Sequence, residues 1–274
     1  MTLVGVENNV KNLVLHQDDA YLQEVFEWIS PIDYSALQRD TLARRQAGTG
    51  QWLLISAEYQ QWQSNAGEKK MLCPGIPGAG KSVMAATVTA DLQTSFGLDK
   101  DIAIVYIFCR YDQRYTQTEI GLLSSLLRQL VQGQEDVSDF ITAMHKSHKA
   151  KRSVPSLQEI QTAVQRTMES FRKVYIVIDA LDECDATCRK SVLDMIQQTR
   201  TSSGMMPKLF ATSRYVRGVL DFFEDGLTLE IRASDGDVGL YLDGQMPKLP
   251  KFVKKDSEEY AEIRTAIIKA TDGM

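Results

Sequence analysis

The sequence predicts an α/β fold built on a mainly parallel sheet, and three observations carry that prediction. From about residue 69 onward, short apolar runs alternate with longer segments of helical period. Two of those runs, Ile102–Cys109 and Val174–Ile178, are uninterrupted and rich in β-branched and aromatic residues, as expected of strands covered on both faces. The segments between the runs are long enough for helices and carry recognisable helix starts, the alternation that lays helices over a parallel sheet.

The predicted elements follow in order. Leu22, Val25, Phe26 and Ile29 share one face of a helix that Pro31 ends. Gly48-Thr49-Gly50 is a loop ahead of Trp52-Leu53-Leu54. The candidate strands are Met71–Cys73, Ile102–Cys109, Val174–Ile178, Leu209–Thr212 and Thr228–Ile231. Thr116-Gln117-Thr118-Glu119 fits a capping box ahead of Ile120, Leu123, Leu126, Leu127 and Leu130. Ser156-Leu157-Gln158-Glu159 is a second such box, and Asp256 through Glu259 a weaker third. The basic stretch from His145 to Arg152 predicts a solvated helix end, with both His145 and His148 in water.

Composition narrows the function classes. Of 274 residues, 43% are apolar and 24% charged, which excludes a disordered chain with too little apolar surface to offset ordering entropy. A net charge of −5 argues against a dedicated nucleic-acid binder, which shows a basic stripe. The longest purely apolar run is the eight residues from Ile102 to Cys109, far below the ~20 that span a bilayer. Glu7 and the lack of a basic opening segment leave no readable secretory signal. Cys73 and Cys109 sit in apolar runs as small buried groups, while Cys184 and Cys188 lack the partners of a zinc site. With no disulfide framework, a reducing, cytoplasmic setting is the expectation.

Gly75-Ile76-Pro77-Gly78-Ala79-Gly80-Lys81-Ser82 matches G-x-x-x-x-G-K-[ST] in full. The four fixed positions coincide by chance in roughly one chain in a hundred of this length, and the context is that of a phosphate-binding loop. A strand precedes it, and the helical run of Val83, Met84, Val88 and Leu92 follows. Glycines let backbone N–H groups approach phosphate oxygens at a helix N-terminus. Lys81 would reach the β- and γ-phosphates, Ser82 would ligate Mg²⁺, and Pro77, which has no N–H, would shape the loop.

The run Lys173 to Glu183 is the second signal. A strand that stops at Asp179 places a carboxylate at the carboxyl edge of the sheet, where α/β proteins bind ligands, and it would hold Mg²⁺ or its water. Asp182 and Glu183 follow as candidates to orient or deprotonate an attacking water; the alternative is that one of them caps the helix through Val192, Leu193 and Ile196. Arg214, at the end of Leu209–Thr212, is either a cation for the γ-phosphate or a surface arginine.

Together these residues resemble the NACHT-type P-loop domains of STAND signalling NTPases, and above all the fungal NLR-like, incompatibility-type proteins with a nephrocystin-like P-loop domain. The segment from Arg45 to Leu54, with Tyr59 and Trp62, is similar to that group's approach to the P-loop, and Thr212-Ser213-Arg214 to its sensor. The resemblance implies a three-layer α/β/α fold with a five-stranded parallel sheet of order 5-1-4-3-2. It implies ATP or GTP with Mg²⁺, slow hydrolysis supported by Asp182 and Glu183, and γ-phosphate sensing by Arg214, with Lys81 also serving catalysis. The base would lie near the Gly-Thr-Gly-x-Trp segment. The expected organisation is a helical lead-in over 1–66, a NACHT domain over 67–232, and over 233–274 the start of a lid cut short. Asp235-Gly236-Asp237-Val238 and Tyr241 look like the entry to that lid. Expected partners are nucleotide and further copies or longer relatives. The alternatives are a non-catalytic nucleotide-binding interaction fragment and a free-standing P-loop kinase or ATPase.

Overall fold

The computed structural model of the chain describes residues 20–64, 67–134, 136–245 and 258–271. A helix α1 over 20–29 is followed by α2 (Ser35–Ala43), α3 (Gln51–Ile55) and α4 (Ala57–Gln63). Strands and helices then alternate: β1 (Lys70–Pro74), α5 (Lys81–Phe96), β2 (Ile102–Phe108), α6 (Glu119–Gln132), α7 (Asp139–Lys151), α8 (Leu157–Met168) and β3 (Lys173–Asp179). After these come α9 (Ala186–Gln198), β4 (Lys208–Ser213), α10 (Arg217–Leu220), β5 (Leu227–Thr228), α11 (Asp235–Gln245) and α12 (Glu258–Thr271). The Asp256 end of the third expected capping box lies outside the described residues.

The strands form one parallel sheet of order β2-β3-β4-β1-β5, the expected order written from its other edge. With helices on its flanks this is the three-layer α/β/α architecture. Every residue of β1, β3 and β4 is buried, which is why these strands show no polar alternation in sequence. Three of the expected strands gain one residue at each end and Ile102–Cys109 loses its last; the fifth shrinks from Thr228–Ile231 to Leu227–Thr228. Beyond it, Leu229 and Ile231 still donate to Leu72 O and Pro74 O at 3.0 and 2.7 Å, so the chain keeps company with β1 at an edge where only one side is paired.

The opposite edge is closed differently. Gln129 of α6 accepts from Tyr106 N at 2.9 Å and donates to Tyr106 O at 2.8 Å. Its amide thus supplies β2 with the donor and acceptor of a neighbouring strand and blunts an edge that would otherwise invite pairing.

Residues 20–64 share the core of the sheet. Val25, Phe26, Ile29, Leu53, Tyr59 and Trp62 are all buried within it. Trp62 packs against Tyr59, Tyr175 and Phe210, and Tyr59 donates to Asp91 of α5 at 2.6 Å. The C-terminal carbonyls of α4 are taken by lysines from the first positions of two strands. Lys173 donates to Gln63 O at 2.9 Å, and Lys208 to Ser64 O, Gly67 O and Glu68 O at 2.7 to 3.0 Å. Cations at the negative end of a helix are favourable, yet burial and neighbouring lysines lower the pKa of Lys173 to about 8 and of Lys208 to about 7.

Two local expectations are corrected. The cap of α6 is Thr118, which accepts from Gly121 N at 3.2 Å, and not Thr116. Glu119 is thereby freed to bind Gln161 and Ser191 across the helices. His145 and His148 are buried, not solvated: they pack against Trp28, and His148 bonds Ser153 and Glu159 at 2.8 and 3.2 Å. The lysines of the same helix face water as expected. Burial against α1 was invisible locally because Trp28 is over a hundred residues away in the chain.

The Gln129 contact makes a measurable demand. Gln129→Leu keeps the volume but leaves the Tyr106 N–H and C=O without partners, a loss of about 1–3 kcal/mol. The urea midpoint should fall accordingly and the Tyr106 amide should exchange faster; an unchanged midpoint and exchange rate would show that the edge does not need this amide.

Candidate nucleotide-binding site

The chemistry-bearing residues meet because three adjacent strands end together. β1 pairs with β4 from Lys70↔Leu209 to Pro74↔Ser213, and β4 pairs with β3 up to Ile178↔Ala211. The loop after β1, the carboxylate that ends β3 and the arginine that follows β4 therefore share one carboxyl edge, where ligands bind in this class of sheet.

The loop from Gly75 to Ser82 joins β1 to α5. Gly78 and Gly80 have φ of 84° and 89°, a region that side chains disfavour, and open space lies over both. At Gly75 the constraint is different: a Cβ there would meet Ile231 O at 2.6 Å. Helix α5 begins at Gly80 with no side chain among the described residues capping it, whereas α6 to α9 are capped by Thr118, Ser138, Ser156 and Asp185. The first N–H groups of α5 are thus left for an anion. Lys81 donates to Gly75 O at 2.9 Å and Ile76 O at 2.8 Å, arching over the loop. Burial lowers its pKa, while Asp182 and Asp179 pull it back up.

Asp179 is fully buried, and burial raises its pKa. The hydroxyls of Ser82 and Thr212 bond to its carboxylate and oppose that rise, Thr212 at 2.6 Å. Thr212 also accepts from Ala180 N at 2.9 Å. Ala180 has φ 53°, ψ 48°, a left-handed conformation that costs an alanine roughly 1–2 kcal/mol. The bend it makes turns the chain from β3 into the short 3₁₀ turn Leu181–Glu183.

The two carboxylates on that turn have different partners. Asp182 accepts from Arg214 N at 2.9 Å and forms an ion pair with the Arg214 guanidinium. Its side chain is 2% exposed and that of Arg214 50%, so the carboxylate is the buried anchor and the guanidinium faces outward. The Arg214 bonds hold the Asp182 pKa below the ordinary value against the opposing effect of burial. Glu183 accepts from Tyr111 N at 2.8 Å, and Arg114 donates to Glu183 O. Neither carboxylate caps α9; Asp185 does, accepting from Thr187 N and Cys188 N.

Gly78, Gly80, Lys81, Ser82, Asp182, Glu183 and Arg214 line a cleft of about 370 Å³. On the other side of the loop, a cleft of about 500 Å³ is bordered by Arg44, Arg45, Thr49, Val83 and Tyr241. It is spanned by Asp237 of α11, which accepts from Gly50 N at 3.1 Å and Trp52 Nε1 at 3.0 Å. The donor set fits a nucleotide and a small hard cation: free helix N–H groups and a lysine for phosphate, a hydroxyl beside a buried carboxylate for Mg²⁺. Among the described residues no cluster of three or more His, Cys, Asp or Glu side chains could cage a metal by itself, and Mg²⁺ in phosphate sites uses few protein ligands.

The family model for the N-terminal region of nephrocystin 3 matches residues 48–214, from the Gly-Thr-Gly loop to Arg214. The chain belongs to that family. It is 25% identical over 238 residues to the vegetative incompatibility protein HET-E-1 of Podospora anserina, covering 81% of this chain and 17% of that protein. Among solved structures, Cdc6p of Pyrobaculum aerophilum superposes with a TM-score of 0.50 at 12% identity, over 79% of this chain and 54% of that one. The ORC2 protein of Aeropyrum pernix in its ADP form gives 0.44 at 15% identity, over 86% and 55%. The chain thus spans about a sixth of the curated relative and about half of each structural one. The former likeness supports the three-layer fold. With the family match and the phosphate-loop motif, the chain is a nucleotide-binding P-loop domain, similar in sequence to a fungal incompatibility protein. No helix among the described residues is long and apolar enough to cross a membrane.

Sequence reasoning missed Thr212 as a functional residue although it stood in the quoted Thr-Ser-Arg motif. Its signal was a hydroxyl one strand away from Asp179, readable once β3 and β4 are known to be neighbours.

The sign of the Asp179 shift yields a prediction. Because its folded pKa lies above 3.8, the folded protein binds that proton more tightly than the unfolded chain. The resulting stability is full below 3.8 and is lost as pH rises through the folded value. Asp179→Asn cannot ionise yet can still accept from Thr212. The nucleotide-free variant should therefore unfold at higher urea than wild type at pH 7, with the gain vanishing below pH about 4. A variant less stable than wild type at pH 7 would contradict the buried-charge account.

Proposed function

We propose that this domain binds ATP or GTP with Mg²⁺, hydrolyses it slowly, and serves as a conformational switch in incompatibility-type or innate-immune signalling. The observation that carries the proposal is the convergence of Lys81, Ser82, Glu183 and Arg214 on one cleft backed by the buried Asp179. In this reading residues 67–232 are the nucleotide core, 1–66 the lead-in and 233–274 the opening of a lid.

Each residue then has a distinct task. The N–H groups of the loop and of the first turn of α5 hold the polyphosphate, and Lys81 exchanges its bonds to Gly75 O and Ile76 O for phosphate oxygens. Ser82 and Asp179 would hold Mg²⁺, which when bound would neutralise negative charge on the phosphates. Glu183, whose carboxylate forms no ion pair among the described residues, orients the attacking water. Asp182 is a positioning residue that aims Arg214 at the γ-phosphate. The nucleoside lies toward Arg45, Thr49 and Tyr241.

Energetics support a lid as part of the switch. Turning an equilibrium from 1:99 to 99:1 needs about 5.5 kcal/mol of differential binding. A charged hydrogen bond such as Arg214 to the γ-phosphate supplies about 1.5–3 kcal/mol. The Asp237 bonds to Gly50 and Trp52 tie α11 to the loop beside the nucleoside cleft, so nucleotide that shifts this contact adds to the signal.

Titration of the purified chain with fluorescent ATP and GTP, with and without Mg²⁺, tests the reading. Lys81→Ala should lose roughly 10- to 100-fold in triphosphate affinity. Arg214→Ala should narrow the ratio of ATP to ADP affinity. Absence of binding by wild type, or wild-type affinity in Lys81→Ala, would reject the proposal.

Single-turnover hydrolysis separates the two acids. Glu183→Gln should slow the chemical step about 100-fold with nucleotide affinity retained, whereas Asp182→Asn should change the ATP-to-ADP ratio as Arg214→Ala does. Equal rates in Glu183→Gln and wild type would remove Glu183 from the mechanism.

A further inference from the structure

The phosphate loop, Asp179 and Arg214 come from the ends of β1, β3 and β4, and β2 ends beside them. β2 pairs with β3 up to Phe108↔Asp179, and the ladder runs one step further, with Cys109 N donating to Asp179 O at 3.0 Å. The chain that leaves β2 therefore emerges next to the acidic turn. It forms a loop over residues 110–117 around a short 3₁₀ turn, Tyr111–Gln113.

That loop is tied to itself. Its base is closed by the buried Gln117, whose side-chain oxygen accepts from Arg110 N at 3.1 Å. Arg110 grips Asp112 through Nε at 3.1 Å and Nη2 at 2.7 Å. Gln113 O accepts from the N–H groups of Thr116 and Gln117 at 3.0 and 3.1 Å. A loop braced in this way can hold a neighbouring group in one geometry.

It holds Glu183 at two points. Tyr111 N donates to Glu183 Oε2 at 2.8 Å, and Arg114 Nε donates to Glu183 O at 3.3 Å. The Arg114 guanidinium also lies over the Tyr111 ring, 4.1 Å from its centroid, an attraction of cation to π-face. Arg114 thus joins the backbone of the turn to the residue whose N–H holds the carboxylate. Glu183 Oε1 has no protein partner among the described residues, and Glu183 lines the cleft with Lys81 and Arg214. One carboxylate oxygen is fixed and the other is left for water.

We propose that the loop 110–117 positions Glu183 for hydrolysis, with the Tyr111 N–H setting the direction of the carboxylate and Arg114 locking the loop to the turn. The proposal rests on the hydrolytic role given to Glu183 above. Tyr111 and Arg114 are positioning residues: they act through Glu183 and not on the nucleotide. The acidic turn is then gripped from both neighbouring strands, Asp182 by Arg214 after β4 and Glu183 by the loop after β2.

Proline at position 111 removes the N–H that bonds to Glu183. Arg110 has φ −141° and ψ 130°, the extended conformation that precedes a proline. Tyr111 opens the 3₁₀ turn, and a helical first position accepts proline. Tyr111→Ala is the control, since it loses the ring and keeps the N–H. In single-turnover hydrolysis Tyr111→Pro should be slowed about 10- to 100-fold, and Tyr111→Ala at most about fivefold, both with wild-type triphosphate affinity. In a Glu183→Ala background Tyr111→Pro should add nothing, because the group it orients is gone. Where Tyr111→Pro does not fold, Arg114→Ala takes its place, slowed about fivefold and likewise without effect in the Glu183→Ala background. Hydrogen exchange of the nucleotide-free protein gives a second readout: Glu183→Ala should speed exchange of the Tyr111 amide about tenfold. A wild-type rate in Tyr111→Pro, equal slowing with and without the Glu183 side chain, or an unchanged Tyr111 amide would overturn the inference. A wild type without hydrolysis would overturn it together with the functional reading, and that case is distinguished by a Tyr111 amide that still responds to Glu183→Ala.

Discussion

The site depends on one hydroxyl. Thr212 donates to the Asp179 carboxylate and accepts from the Ala180 N–H, so it binds the end of β3 to β4 at the point where the chain must leave the sheet. That pair of bonds holds a buried carboxylate in place and stabilises a left-handed alanine that would otherwise relax. The direction of the following turn, and with it the placement of Asp182 and Glu183, follows from that bend. Asp182 in turn holds Arg214, which lies two residues after Thr212 on the neighbouring strand. The acidic turn and the arginine are therefore one unit, closed through Thr212 at its base and the ion pair at its rim. A change at the guanidinium is felt by the carboxylate, and through the turn by Glu183.

The sheet that presents this unit is secured from below. Lys173 and Lys208 begin β3 and β4 and donate to Gln63 O and Ser64 O at the end of α4 and to Gly67 O and Glu68 O ahead of β1, while Trp62 of α4 fills the space among Tyr59, Tyr175 and Phe210. Buried ammonium groups are costly unless their protons are used, and Lys208 uses its own on three carbonyls. The helices ahead of β1 thus complete the floor of the sheet as well as leading into it. This explains physically why the family match begins at Gly48, upstream of the first strand.

The readable parts of the sequence were those fixed by local chemistry. The G-x-x-x-x-G-K-[ST] spacing, the apolar run that stops at Asp179 and the Ser156 capping box depend on neighbours in the chain, and each stands where it was expected. What could not be read depends on partners brought by topology. Trp28 buries the two histidines of α7, Ser191 and Gln161 draw Glu119 away from a cap, and Arg214 claims Asp182 where sequence left it level with Glu183.

The geometry also bears on how binding at one side of the P-loop can be felt at the other. The clefts proposed for phosphate and for nucleoside share Gly78, Gly80 and Val83, so the loop is the wall between them. On the proposed phosphate side lies Arg214 with its anchor Asp182. On the nucleoside side, Asp237 joins α11 to Gly50 and Trp52, and Gly50, with φ 72°, also caps α3, whose Leu53 is buried in the core. In the proposed reading a nucleotide that fills both clefts would meet the arginine and the α11 contact together, whereas one lacking its γ-phosphate would engage only the second. The difference between those two bound states is what a switch amplifies. In the proposed switch one arginine would supply less than the whole shift, and the rest would pass through the contact at Asp237, where helix and loop are joined by a carboxylate and two N–H groups.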